Sequence, residues 1–171
     1  MKLTPIIAAI GIAATVGAAP VMAAENLVRF QGGIGVIPVS SAPGAAATAE
    51  TVNRNIVRGV QPPGQIWVIA DLKADVKVDG RIRVDGRGLL LGGGNSVGLN
   101  GNARVFATLI CESAAPFVER NTDLAGVALE PDGDFRIDDV LDPAPVDCPS
   151  PVLLIRTAAT KAWFAAGIPK L

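Results

Sequence analysis

The sequence predicts an all-β protein, specifically an antiparallel β-sandwich that is immunoglobulin-like or transthyretin-like in its broad architecture. From Val52 onward, short apolar runs alternate with clusters of Gly, Pro, Asn and Asp. No stretch after residue 24 sustains the 3.6-residue apolar period of an amphipathic helix. Hydrophobic residues make up 50% of the chain but aromatic residues only 4%, so Val, Ile, Leu and Ala must supply the core of stacked β-layers.

The first 24 residues predict a secretory signal peptide, which is cleaved and contributes no helix to the mature fold. A single lysine, Lys2, precedes an uncharged apolar stretch from Ile6 to Val16, and small residues around Ala23 provide a cleavage site. A membrane anchor is the alternative, but an anchor needs about 20 apolar residues and Gly11 and Gly17 interrupt this run. We expect a secreted or periplasmic protein without membrane insertion after cleavage.

The remaining chain has the length of one domain. Removing residues 1–24 from the 171-residue chain leaves 147 residues, enough for a single hydrophobic core. Residues 25–51 are assigned to short strands around a Gly-rich bend, followed by an Ala/Ser/Pro-rich flexible segment whose alanines could instead form a short helix. Residues 52–171 are assigned to the β-sandwich domain.

Strands are expected wherever apolar runs lie between turn signals. After the first strands at residues 27–39, the expected ranges are 53–59, 65–71, 72–78, 81–91, 103–112, 126–130, 134–138, 151–157 and 161–166. Their close spacing is typical of a sandwich or barrel.

The hairpin around Gly80 can be assigned a register. A three-residue loop, Val78-Asp79-Gly80 with Gly80 left-handed, places Val76 opposite Ile82 on one face of the hairpin. The same register places Asp75 opposite Arg83 on the other face. A two-residue turn would instead mix charged and apolar groups on both faces, so the three-residue loop is favoured.

A second hairpin is predicted by the same reasoning, with Pro131-Asp132-Gly133 as its loop. It would pair Leu129 with Phe135 and Val127 with Ile137. The strand that begins at Arg104 also alternates, and Cys111 falls on its apolar face.

The two cysteines, Cys111 and Cys148, are expected to form a disulfide. An exported chain experiences an oxidising compartment, and two thiols allow one intramolecular pairing. A pair of buried reduced thiols is the competing interpretation, and a metal site is a poorer one because too few S or N ligands are available.

The absence of histidine excludes several function classes. Ser-His-Asp and Cys-His catalysis cannot be assembled, and the commonest imidazole metal ligand is missing. The chain has 15 Lys and Arg against 16 Asp and Glu, so composition indicates neither a nucleic-acid partner nor an anionic lipid partner. We expect no cofactor and no recognisable catalytic motif.

An acidic cluster near the second hairpin is the remaining candidate for chemistry. Its members are Glu130, Asp132, Asp134, Asp138 and Asp139. Clustered carboxylates could bind Ca²⁺ in an adhesion or stability module, or act as general acid and base in a small secreted hydrolase. Acids beside Gly and Pro are also what turns require, and solvated turn residues are the favoured interpretation.

Two other features bear on binding. The Gly-rich segment from Gly92 to Gly98, continuing to Asn102, does not fit a dinucleotide or phosphate loop and is interpreted as an inter-strand loop and a weak candidate binding edge. Trp67 and Trp163 are interpreted as core residues, with an exposed platform at Trp163 as the alternative. Taken together, the sequence favours an exported, non-catalytic binding or structural module for a protein or surface partner.

Overall fold

The computed structural model describes residues 24–43 and 50–170, and this part of the chain consists of strands, turns and loops without a helix. Residues 1–23 of the predicted signal peptide lie outside it. The strands are β1 (Asn26–Gly35), β2 (Val39–Pro43), β3 (Glu50–Arg54), β4 (Trp67–Val68), β5 (Asp71–Lys77), β6 (Arg81–Arg87), β7 (Leu90–Leu91), β8 (Arg104–Ile110), β9 (Arg120–Asn121), β10 (Val127–Ala128), β11 (Phe135–Val140), β12 (Val152–Thr157) and β13 (Trp163–Pro169). None of the described residues belongs to a helix with the length and apolarity needed to cross a bilayer.

Nine strands form one antiparallel sheet that is nearly closed into a barrel. Its order is β10-β8-β12-β13-β1-β5-β6-β11, and β9 also pairs with β8. An isolated bridge from Asn121 of β9 to Asp142, just after β11, brings the two ends of the sheet together. The predicted all-β antiparallel class is confirmed. The finer expectation of an immunoglobulin-like or transthyretin-like sandwich stays a prediction.

The first hairpin has the register that its charge pattern predicted. Val76 pairs with Ile82 and Asp75 pairs with Arg83, and Gly80 has a φ of 85°. Val76 and Ile82 face the barrel interior and are at most 2% exposed. Alternation along the two strands therefore decided which face is buried, because a shift by one residue would bury the charges.

The prediction of the second hairpin is confirmed at the loop but is wrong for the strand pairing beyond it. The Glu130 N–H donates to the Asp134 carbonyl, as the predicted loop requires, but β10 then pairs with β8 and β11 pairs with β6. Val127 lies opposite Val105, and Ile137 lies opposite Val84. The two strands separate because each finds a longer-range partner, which local alternation does not reveal.

The strand β8 is buried on both faces, which the alternating pattern did not predict. Val105, Ala107 and Leu109 face the barrel interior, whereas Phe106 and Thr108 face outward. The outer face is covered by Arg156, whose guanidinium lies 5.3 Å from the Phe106 ring centroid and donates to Thr108 Oγ1 and Glu119. The outward-facing Phe106 and Thr108 are therefore shielded from solvent by a charged side chain and its partners.

The segment before the predicted sandwich domain contributes to the main sheet. β1 pairs with β13 on one side and β5 on the other, while β2 and β3 form a separate two-stranded ribbon. Thus β2 and β3 extend over residues 40–43 and 50–51, where the sequence suggested a flexible or short helical segment. The residues between them lie outside the described part, and the domain boundaries stay a prediction.

The predicted disulfide is present and is followed by a partly buried ion pair. Cys111 and Cys148 are bonded across a sequence separation of 37 residues, which is compatible with an oxidising environment. Beside them, Glu112 accepts hydrogen bonds from Arg120 Nη2 at 2.9 Å and from the Val118 N–H at 3.1 Å. The hydrogen bond from Arg120 is the main cause that lowers the pKa of Glu112 from 4.5 to about 2.

The Glu112→Gln variant is expected to lose about 1 kcal/mol of unfolding free energy at pH 7. The Arg120 and Glu112 side chains are 13% and 26% exposed, so solvent screening makes the stabilising free energy smaller than the pKa shift alone would imply. Because the folded-state pKa is lowered, the stabilisation is present above pH 4.5 and is lost as the pH falls toward 2. Urea unfolding of both proteins across this range should give converging free energies; a difference that persists at pH 2 would contradict the assignment.

Candidate functional site

Three loops at one end of the barrel border an open cleft of about 670 Å³. They comprise residues 63–67 before and within β4, residues 101–104 before and within β8, and residues 157–160 at and after the end of β12. Leu91 and Phe164 complete the lining. The cleft therefore combines loops that are far apart in sequence on one sheet scaffold, an arrangement typical of binding sites.

An aromatic pair forms the floor of the cleft. The Trp67 and Phe164 rings stack with centroids 3.9 Å apart and planes inclined by 13°. Trp67 is 5% exposed and Phe164 is 6% exposed, so only a small part of either side chain is open to the cleft. Such a floor is stiff and apolar, and it suits a small ligand group inserted between the loops.

The loop that begins at Asn100 is held in shape by its own side chains. Asn100 Oδ1 accepts the Asn102 N–H, and Asn100 Nδ2 donates to the carbonyls of Leu129 and Glu130. Gly101 and Asn102 both have left-handed backbones, with φ values of 59° and 49°. Glycine and asparagine adopt this conformation more readily than other residues, so the local sequence supports the turn.

The loop from Thr157 to Lys161 is also preorganised. Thr157 Oγ1 accepts the Ala159 N–H, the Lys161 N–H donates to the Thr157 carbonyl, and Lys161 Nζ donates to the Leu124 carbonyl. Ala159 and Thr160 at the tip of this loop are exposed. Hydrogen bonds therefore fix the loop while leaving its tip open to a ligand.

The polar groups around the cleft are neutral apart from one guanidinium. Gln65, Asn102 and Thr160 contribute amide and hydroxyl groups, and Arg104 contributes the charge. Arg104 donates through Nε to the Ala125 carbonyl and through Nη2 to the Gly126 carbonyl. None of the described residues lining this cleft is acidic. The lining is thus suited to hydrogen bonding and apolar contact.

In the structure, the acidic candidates do not act as one cluster, because they have different hydrogen-bond partners. Asp138 pairs with Arg83 at 2.7 Å, and Asp139 accepts the backbone N–H groups of Asp123 and Val140. The Arg83 hydrogen bond lowers the pKa of Asp138, so this carboxylate is charged at neutral pH.

The remaining acidic candidates lie at the hairpin tip. Asp134 Oδ1 accepts the Gly88 N–H, and Asp132 Oδ1 accepts the Asp134 N–H. Glu130 is exposed and bonds to Asp134 through its backbone. Across the described ranges, no three acidic or cysteine side chains are gathered in a way that could hold a metal ion.

Sequence reasoning identified only part of this cleft. The candidate binding edge from Gly92 to Asn102 supplies Gly101 and Asn102, but the loops at 63–67 and 157–160 were not singled out. Trp67 and Trp163 are buried, as predicted for core residues. The missed loops carry Gly, Ala and Thr without a motif, so their convergence has no local signal in the sequence.

Comparison with protein-family models, curated proteins and solved structures finds no match to this chain.

Proposed function

We propose that this protein is an exported, non-catalytic binding module whose ligand-binding site is the three-loop cleft. The observation that carries the proposal is the cleft itself, in which preorganised loops surround the stacked Trp67 and Phe164 rings. A ligand entering such a site meets an apolar floor and neutral hydrogen-bonding groups at the rim. Because the loops are already ordered, little conformational entropy is lost on binding.

The cleft chemistry favours binding over turnover. Its lining offers one charged side chain, Arg104, and two of its nitrogen atoms already donate to backbone carbonyls. General acid and base catalysis requires a proton-transferring group within reach of a bound substrate, and a guanidinium is a poor one because it does not readily lose a proton.

The proposal includes export and a sandwich-like shape. Residues 1–24 act as a cleaved signal, and the mature domain works in the periplasm or outside the cell as a flattened, immunoglobulin-like or transthyretin-like scaffold for its loops. The disulfide is compatible with that location. N-terminal sequencing of the native protein should begin at Ala24 or Glu25, and retention of Met1 or Lys2 would contradict export by cleavage.

Blocking the cleft should remove ligand binding without unfolding the protein. The Ala159→Trp variant places a large side chain at an exposed lining position. Tagged wild-type protein and this variant are incubated with the native exported fraction, and retained molecules are quantified by mass spectrometry. We expect at least about a tenfold loss of the retained ligand, because steric exclusion costs more than 1.4 kcal/mol.

The matched control is Val146→Trp, which adds the same side chain at a position that is 93% exposed and outside the cleft lining. It should retain the ligand as the wild type does, and both variants should melt within a few degrees of the wild type. If the wild type and Ala159→Trp retained equal amounts of ligand, the cleft would not be the ligand-binding site.

A further inference from the structure

Two segments that lack any charged residue come together around β4 and β7. Residues 59–70 and residues 88–103 contain no Asp, Glu, Lys or Arg, although 18% of the whole chain is charged. The segments meet where β4 pairs with β7 and where the Gly92 N–H donates to the Ile66 carbonyl at 2.8 Å. We call the part of them at residues 65–68 and 90–99 the uncharged lobe.

The uncharged lobe exposes four aliphatic side chains to solvent. Ile66 and Val68 lie on the face of β4 opposite to Trp67, because side chains alternate along a strand. A Cβ at Gly92 would lie 2.8 Å from Ile66 Cγ2 and 2.9 Å from Val68 Cγ1, so these two side chains are neighbours. The exposed fractions of the four are 40% for Ile66, 47% for Val68, 61% for Val97 and 58% for Leu99. Exposed apolar groups gathered in this way mark an interaction surface.

The turn that carries Val97 and Leu99 pairs its own backbone N–H groups. Residues 94–99 are all exposed, and a Cβ at Gly98 would meet nothing within 4 Å, so the turn projects from the body of the protein. Three consecutive N–H groups nevertheless donate within the lobe: Val97 to the Gly94 carbonyl at 3.3 Å, Gly98 to the Leu91 carbonyl at 2.8 Å, and Leu99 to the Ser96 carbonyl at 3.1 Å. Such a turn loses few hydrogen bonds when it leaves water for an apolar medium.

Charges of both signs flank the lobe at its base. Arg87 lies opposite Asp71 at the end of the hairpin between β5 and β6, and Arg104 follows the second uncharged segment. On the side of the acidic hairpin, Asn100 Nδ2 donates to the Glu130 carbonyl at 3.0 Å. Mixed charge at the base gives the lobe no field that would draw it to an anionic surface.

We propose that the uncharged lobe docks the mature protein on the surface of a zwitterionic lipid bilayer, with the turn at residues 94–99 inserted among the headgroups and upper acyl chains. This contact is peripheral and spans nothing, and its strength scales with the apolar area that leaves water. It goes beyond the proposed function, because the three-loop cleft is lined by the Trp67 and Leu91 side of the β4–β7 pair.

The chemistry and shape of the lobe favour a bilayer over a protein partner or a second copy. Protein partners are usually oriented by complementary charges, and the lobe has none to offer. A bilayer also deforms around a projecting turn, whereas a protein partner would need a pocket of matching shape. In a symmetric contact between two copies, the same projecting turn would meet itself. A neutral surface with paired N–H groups instead matches a neutral lipid interface.

The test measures partitioning of the mature wild-type protein onto phosphatidylcholine vesicles by co-sedimentation at about 150 mM salt. The lobe variant is Val97→Asp/Leu99→Asp, which changes two exposed side chains. We expect its partition coefficient to fall about tenfold or more, because aliphatic contacts are replaced by charges that resist leaving water. The Val97→Trp variant should partition more strongly than the wild type, since tryptophan favours the bilayer interface.

The matched control is Val140→Asp/Val146→Asp, which makes the same change in net charge at positions 51% and 93% exposed outside the lobe. It should partition within about twofold of the wild type. All variants should melt within a few degrees of the wild type, which separates lost docking from lost folding. The Ala159→Trp variant should also bind vesicles normally, so a failure of the cleft as the ligand-binding site leaves this result unchanged.

Four results would overturn the proposal. The first three are no wild-type binding to phosphatidylcholine, an equal loss in the control, and loss of wild-type binding at about 500 mM salt, which would indicate electrostatic attraction. The fourth is a wild type that sediments as a dimer and a Val97→Asp/Leu99→Asp variant that sediments as a monomer, with neither binding vesicles. The lobe would then contact a second copy of the chain and not a bilayer.

Discussion

The Cys111→Ala/Cys148→Ala variant is expected to lose about 4 kcal/mol of unfolding free energy. The disulfide closes a loop of 37 residues in the unfolded chain, and the chain-entropy model assigns a stabilisation of this size to such a loop. For a domain of this length the melting temperature should fall by about 10 °C. Guanidinium unfolding and calorimetry of the mature protein measure both quantities.

The effect of the cross-link can be separated from that of the lost sulfur atoms. Cys111 is 2% exposed within the core, so its replacement also leaves a small cavity. Wild-type protein treated with reductant should therefore lose nearly as much stability as the double variant, whereas reductant should not affect the variant. If the double variant and the reduced wild type each lost less than about 1 kcal/mol of unfolding free energy, the bridge would contribute little to stability.

The Gly86→Ala variant is expected to lose about 3 kcal/mol of unfolding free energy. Gly86 pairs with Phe135 across β6 and β11, and a Cβ at Gly86 would lie 2.1 Å from Cε1 of the Phe135 ring. The ring is 6% exposed and packs in the core, so it can move only by straining its neighbours. Urea unfolding compares the variant with the wild type.

The control for this variant is Gly64→Ala, where an added Cβ meets nothing within 4 Å. It should change stability by less than about 1 kcal/mol. A double-mutant cycle with Phe135→Ala provides the decisive comparison, because Gly86→Ala should cost almost nothing once the ring is removed. An equal cost in both backgrounds would place its cause elsewhere than at the ring.

Local patterns predicted those parts of the fold that depend on neighbours in sequence. The register of the hairpin between β5 and β6 followed from alternation and a glycine turn, since the two strands are joined by three residues. The expected strand from 134 to 138 is also present, as β11. Its partner was predicted incorrectly, because β11 pairs with β6 and not with the neighbouring β10, and apolar alternation alone does not distinguish a nearby partner from a distant one.

The candidate site depended even more on distant contacts. Asn102 lies in a loop that the sequence marked as a weak binding edge, but the stacking of Trp67 on Phe164 joins residues nearly a hundred positions apart. No spacing rule connects those rings. On the outer face, the hairpin register predicted Asp75 opposite Arg83, but only the strand order places Arg29 beside Asp75.

The sequence by itself determined the all-β class, the positions of most strands, the first hairpin and the Cys111–Cys148 bridge. These depend on alternation, on turn residues and on the presence of only two cysteines, all of which are visible without coordinates. The tertiary structure alone decided that β1 lies between β13 and β5, that the sheet nearly closes, and that three loops form a cleft. The physical reason is that backbone hydrogen bonds between strands are nearly identical for every pairing, so side-chain packing over the whole barrel selects the partners.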